Sequence, residues 1–151
     1  MKIFETLHDV SAFVGQGELL SDWITVTQEQ INLFAQATGD HQWIHVDPER
    51  AKQGPFGAPI AHGFLTLSLL PMMFASTFKA SNARMGVNYG LNKVRFTAPV
   101  PVNSRLRARM VLQACDALPD NGAQLTWAVM VEREGSDKPV CVAESLTRLY
   151  A

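Results

Sequence analysis

Residues 64–78, FLTLSLLPMMFASTF, carry no formal charge and are apolar on almost every side of a helix. A helix of that kind has no solvent face and has to be covered all round. It is too short to cross a bilayer, which takes about 20 apolar residues, and Pro71 interrupts it along with Thr66, Ser68, Ser76 and Thr77. The stretch therefore predicts a buried core helix that opens at His62-Gly63, runs to about Phe78 and is kinked by Pro71.

Something must wrap that helix, and the rest of the chain supplies strands. Beyond residue 83 the signals alternate. Leu106, Ala108, Met110 and Leu112 point one way and Arg105, Arg107 and Arg109 the other. Leu125, Trp127, Val129 and Val131 form a second apolar row, and residues 140–150 a further strand. Asp120-Asn121-Gly122 and Gly135-Ser136-Asp137 are turn signals between them. One buried helix followed by antiparallel strands makes an α+β fold with a sheet wrapped on a helix. The 151 residues suit a single domain, 1–151, and 47% hydrophobic content supplies its core.

Ahead of the core helix the signals are helical. Residues 21–27 alternate as a short strand. Thr27 and Gln30 have capping-box spacing ahead of Ile31, Phe34, Ala35 and Thr38, and Gly39 is a natural stop. Asp47-Pro48 starts a second short helix that reaches about Lys52, and residues 54–59 form a loop.

Composition excludes several classes. A net charge of −1 gives no overall basic field for nucleic acid. Cys115 and Cys141 lack C-x-x-C spacing and read as free thiols. Residues 1–10, MKIFETLHDV, lack the apolar core of a secretion signal, so a soluble cytoplasmic protein without membrane insertion is expected.

Polar density peaks at residues 38–49, TGDHQWIHVDPE. Asp40 and His45 are five apart. They would lie roughly 140° apart around a helix and on opposite faces of a strand. They converge only if the chain between them is irregular, which Gly39 and the Asp47-Pro48 helix start favour. A carboxylate and an imidazole on one loop suit acid–base work on water. A loop-capping Asp and a structural His fit the same spacing. His41, His45, Asp47 and His62 are too loosely spaced for a standard metal pattern, so no metal is expected. Gly63 at a helix start leaves backbone N–H groups free for an oxyanion, or makes room for packing. Ser68 bonds the carbonyl one turn back, or faces the site. The arginine row, with Lys93 and Arg95, is a solvated face or a contact for coenzyme A phosphates.

Residues 37–48, ATGDHQWIHVDP, resemble the hydratase-2 motif G-D-x-N-P-hydrophobic-H-x-D of MaoC-like dehydratases and (R)-specific enoyl-CoA hydratases. Residues 59–69, PIAHGFLTLSL, resemble that family's P-I-x-H-G helix entry, and residues 92–100, NKVRFTAPV, its N-x-x-R-F-x-x-P-V strand. The three blocks come in the family's order and span about half the chain. Gln42 and Trp43 replace the motif Asn and Pro, as in the NodN-like branch.

The resemblance implies a hotdog fold and a homodimer with sites at or near the subunit interface. It implies reversible addition of water to a trans-2-enoyl thioester of coenzyme A or acyl carrier protein, with (R) stereochemistry and no cofactor. Asp40 and His45 would form the catalytic pair. The Gly63 N–H would bind the thioester oxygen, Ser68 would support the catalytic loop, and Gln42 and His62 would contact substrate. Trp43, Phe56, Met72 and Phe74 are the expected lining of an acyl tunnel. Two rivals stand beside this reading. A hotdog thioesterase needs a carboxylate on the central helix or on the facing strand, and the absence of one from residues 64–78 counts against it. A non-catalytic acyl-binding module would keep the pocket without turnover.

Overall fold

The computed structural model describes residues 1–151. The elements run β1 (Lys2–Phe4), α1 (Leu7–Ala12), β2 (Glu18–Leu20), β3 (Ile24–Thr25), α2 (Gln28–Thr38), α3 (Trp43–Val46), α4 (Pro48–Lys52), α5 (Gly63–Ser68) and α6 (Leu70–Thr77). Five strands follow: β4 (Phe78–Ala80), β5 (Met85–Arg95), β6 (Arg105–Leu118), β7 (Gly122–Arg133) and β8 (Cys141–Tyr150).

The main sheet is antiparallel, in the order β2-β6-β7-β8-β5, and β3 also pairs with β6. Its two-residue period sorts the side chains. Leu106, Ala108, Met110 and Leu112 of β6 are buried, as are Leu125, Trp127, Val129 and Val131 of β7. The outward arginines are paired: Arg105 with Glu134, Arg107 with Glu132, and Arg109 with Glu18 and Glu132. That pairing makes the row a solvated face.

The inner face wraps α5 and α6, as their all-round hydrophobicity requires. Met73 is fully buried, and the Trp127 ring meets Phe74 at 5.4 Å and Phe78 at 5.0 Å between centroids. The core helix is not continuous, however. It breaks at Leu69, with Pro71 in the first turn of α6. Proline lacks the N–H that would reach back to the previous turn, and its ring crowds the carbonyl there.

The caps are where sequence places them. Thr27 and Gln30 form a complete capping box on α2, Gly39 closes it with φ 78°, and Asp47 caps α4. The strand expected over residues 21–27 is reduced to Ile24–Thr25. β1, α1 and β2 have no counterpart in the sequence reading; β1 pairs in parallel with β4, the strand that directly follows α6.

β5 lies at the edge of the sheet, and its residues are exposed on both faces, including Met85, Val87, Tyr89 and Leu91. Phe64 and Met72 on the helices are exposed as well. No helix is long and apolar enough to cross a membrane.

Candidate active site

The site is built on the exit from α2. Gly39, in the left-handed region, turns the chain off the helix axis, a conformation that other residues adopt only with strain. Asp40 comes next, exposed, and its carboxylate accepts the Gln42 N–H at 3.3 Å. The segment expected to be irregular throughout contains one helical turn, α3. That turn carries His45 inward, where it is only 6% exposed. Two contacts hold α3 in place. The Gln28 amide of α2 donates to the His45 carbonyl at 2.8 Å, and the Ile60 N–H donates to the Ile44 carbonyl at 3.0 Å.

The histidine tautomers follow from their partners. His45 Nδ1 lies 2.6 Å from the Ile60 carbonyl, and His62 Nε2 lies 3.0 Å from the Asp40 carbonyl. A carbonyl oxygen has no hydrogen to give, so each of these nitrogens carries one and donates it. His45 Nε2 and His62 Nδ1 are left as acceptors, and His62 Nδ1 is buried without a partner. The two rings stack, with centroids 3.8 Å apart and planes inclined by 23°. Phe34 of α2 also packs on His62, at 4.9 Å. Burial pushes the His45 pKa below the ordinary imidazole value of 6.5. The adjacent His62 acts in the same direction, while the Ile60 carbonyl and the Asp40 carboxylate oppose it. The result is a neutral imidazole with one free lone pair beside a carboxylate.

One donor atom from each of Asp40, His45 and His62 lies within 4.8 Å of the others, a cluster with the composition of a metal site. The stacking does not suit one. A metal sits about 2.0–2.1 Å from an imidazole nitrogen, close to the ring plane. Two stacked rings with centroids 3.8 Å apart and planes inclined by only 23° do not both direct a nitrogen lone pair at the same ion unless a ring turns.

Gly63 opens α5, its N–H ahead of the first intrahelical bond. It lines a groove of about 350 Å³ with Phe56, Ile60, Thr66, Phe96 and Val140, and the Phe96 ring lies where a Gly63 Cβ would sit. The packing reading of Gly63 thus holds, and the free N–H remains available with it.

Several expected site residues lie elsewhere. Ser68 donates to the Phe64 carbonyl at 2.7 Å and lines a different groove, between the core helix and β5, so it does not support the Asp40–His45 loop. His62 spends its N–H on the Asp40 carbonyl and has none for a thioester oxygen. Gln42 is exposed; it contributes its backbone N–H to Asp40. The four residues expected to line an acyl tunnel do not share a cavity. Phe56 lines the Gly63 groove. Trp43 packs on Gly54, with Arg50 stacked 4.3 Å from its ring. Met72 is exposed, and Phe74 packs against Trp127. Side-chain direction on a broken helix decides this, and a run of apolar residues does not encode it. Gln28, Ile60 and Phe34, which hold the two histidines, carry no sequence signal of that role. Ile60 acts through its carbonyl, which every residue has.

Comparison with known proteins extends this picture. The family model described as "MaoC like domain" matches residues 9–131. The chain is 54% identical to 3-hydroxyacyl-thioester dehydratase Z of Mycobacterium tuberculosis over the full length of both proteins. It is 49% identical to nodulation protein N of Rhizobium leguminosarum, over 94% of this chain and 89% of that one. Among solved structures, the (R)-hydratase PhaJ1 of Pseudomonas aeruginosa superposes with a TM-score of 0.74 at 22% identity, over 97% of this chain and 86% of that one. The (R)-hydratase of A. caviae gives 0.68 at 21% identity, over 87% and 92%. At such identities the likeness bears on the fold, and the fold is the hotdog.

Proposed function

The chain belongs to the MaoC-like dehydratase family, and on that premise we infer that it is a hydro-lyase that adds water reversibly to a trans-2-enoyl thioester, giving a 3-hydroxyacyl thioester. The observation that carries the reading is the neutral His45, with Nδ1 held by the Ile60 carbonyl and an imidazole nitrogen within 4.8 Å of the Asp40 carboxylate.

The chemistry follows from that arrangement. The thioester carbonyl lies against the Gly63 N–H, which polarises the conjugated double bond and makes C3 electrophilic. Asp40 and His45 hold one water. His45 Nε2 takes a proton from it as the oxygen bonds to C3, while the water's other O–H stays intact, donates a hydrogen bond to the Asp40 carboxylate and becomes the 3-hydroxyl; that carboxylate also offsets the imidazolium charge. Negative charge collects on the thioester oxygen beside the N–H. The imidazolium then returns its proton to C2, so one water is added in all. Dehydration runs the same steps backwards. A base of lowered pKa stays unprotonated near neutral pH and still returns its proton readily.

The substrate is a coenzyme A or acyl carrier protein thioester, the product has (R) configuration, and no cofactor takes part. The working form is a homodimer. The support for it is the edge strand β5, with its unpaired backbone and exposed Val87, Tyr89 and Leu91, together with the exposed Phe64 and Met72 of the core helices.

Loss of enoyl-thioester absorbance on adding the protein to trans-2-enoyl-CoA of short and medium chain length tests this, with Asp40→Asn and His45→Gln as controls. Each control is expected to lower turnover by about 10²–10⁴-fold. A folded protein that binds acyl-CoA but turns over no chain length refutes the reading and leaves an acyl-binding module in its place.

A further inference from the structure

His62 is buried, stacked on the catalytic imidazole and absent from the chemistry above. We propose that His62 is a positioning residue: its N–H anchors the Asp40 backbone while its ring braces the face of His45, so that carboxylate and imidazole converge on one water.

The geometry makes the case. Asp40 sits on an exposed turn, and its own side-chain bond, to the Gln42 N–H, is internal to that turn. The long-range tie at this residue is the 3.0 Å bond from His62 to its carbonyl, which bridges 22 residues. His45 is held at one edge by the Ile60 carbonyl, which leaves its ring free to rock about that bond. A planar group 3.8 Å away and inclined by only 23° blocks the rocking on that face. His62 is itself held on α2 by Phe34. One side chain therefore connects both halves of the pair to the core. An apolar residue of similar size would fill the space but could not donate to Asp40.

Stacking also couples the two rings electrically. The titratable groups acting on His45 are Asp40, from the loop behind α2, and His62, ahead of α5. α2 and the Ile60 segment present it with an amide and a backbone carbonyl.

The inference rests on the hydro-lyase reading, and one of its tests needs no substrate. In ¹⁵N-histidine spectra of the unmodified protein, His45 should appear as the Nδ1–H tautomer and His62 as the Nε2–H tautomer. Finding His62 as Nδ1–H overturns the proposal whether or not enoyl-CoA is hydrated. Kinetics supply the second test. His62→Leu should lower kcat by about 10²-fold and leave KM within about two-fold, the mark of misplaced groups rather than lost binding. His62→Gln, which can carry an N–H to nearly the same point, should recover most of that loss. In His62→Gln the acid limb of kcat/KM should move to higher pH, because His45 loses a neighbour that lowers its pKa. A raised KM at unchanged kcat would make His62 a substrate contact, and an unmoved acid limb would make it packing only. Either result overturns the proposal.

Discussion

Substituting Gly63 by Ala separates the two things this residue does. A Cβ built on Gly63 lies 2.6, 2.8 and 2.9 Å from three ring atoms of Phe96. Carbon atoms rest at about 3.5–4.0 Å, so the ring must retreat by roughly 0.9 Å. Overpacking of that kind costs about 1–3 kcal/mol. Alanine returns up to about 1 kcal/mol through its better helix propensity. The net loss should be roughly 0–3 kcal/mol, visible as a fall in Tm. Activity should fall much further. The added methyl narrows the groove where a thioester oxygen would reach the Gly63 N–H, and losing one oxyanion donor costs about 10²–10³-fold in kcat. Adding Phe96→Leu should relieve the clash and restore Tm. If turnover stays low in that double variant, the methyl obstructs the N–H directly. Gly63→Ala with the kcat of the unmodified enzyme would refute an oxyanion role for this backbone.

Other outcomes follow from the same structure. The His45 pKa is lowered on folding, so the unfolded chain binds more protons just below pH 6.5. Stability from this group is therefore whole above about pH 6.5 and declines as pH falls below it, while the acid limb of kcat/KM lies below 6.5; urea titrations and rate profiles between pH 5 and pH 8 check both signs. Val87→Lys places a charge on the exposed edge strand and should convert a dimer to monomer in sedimentation equilibrium; an unmodified protein that sediments as a monomer would remove the basis for a dimer. Met73→Ala empties a fully buried position on α6 and should lower Tm by roughly 5–15 °C. Thr27→Ala opens the α2 capping box and should cost about 1 kcal/mol in chemical denaturation.

Local rules reach a long way in this chain. Thr27, Gly39, Asp47 and Pro48 set helix ends through backbone chemistry that acts within four residues, and the α2 and α4 boundaries lie where those residues stand. The period-two rows of β6 and β7 depend only on the pleat, and burial follows them residue by residue. An apolar, uncharged core helix implies a wrapping sheet, and the hotdog fold supplies it. The meeting of Asp40 and His45 was legible too, because a glycine stop followed by a new helix start forces a turn between them.

What escaped was set by distant partners. β1 and β2 are three residues each and exist by pairing with β4 and β6, far along the chain. Ser68 is five residues on from Gly63, which puts it roughly 140° around the helix, so it lines a groove with Phe74 that is separate from the Gly63 groove. The tautomer of each histidine is chosen by a backbone carbonyl, 15 residues away for His45 and 22 for His62. Sequence by itself determined which groups are present and where helices and strands begin. Tertiary structure decided which nitrogen keeps a free lone pair and what it faces, because hydrogen bonding and stacking depend on distances of a few ångströms that residue identity does not contain.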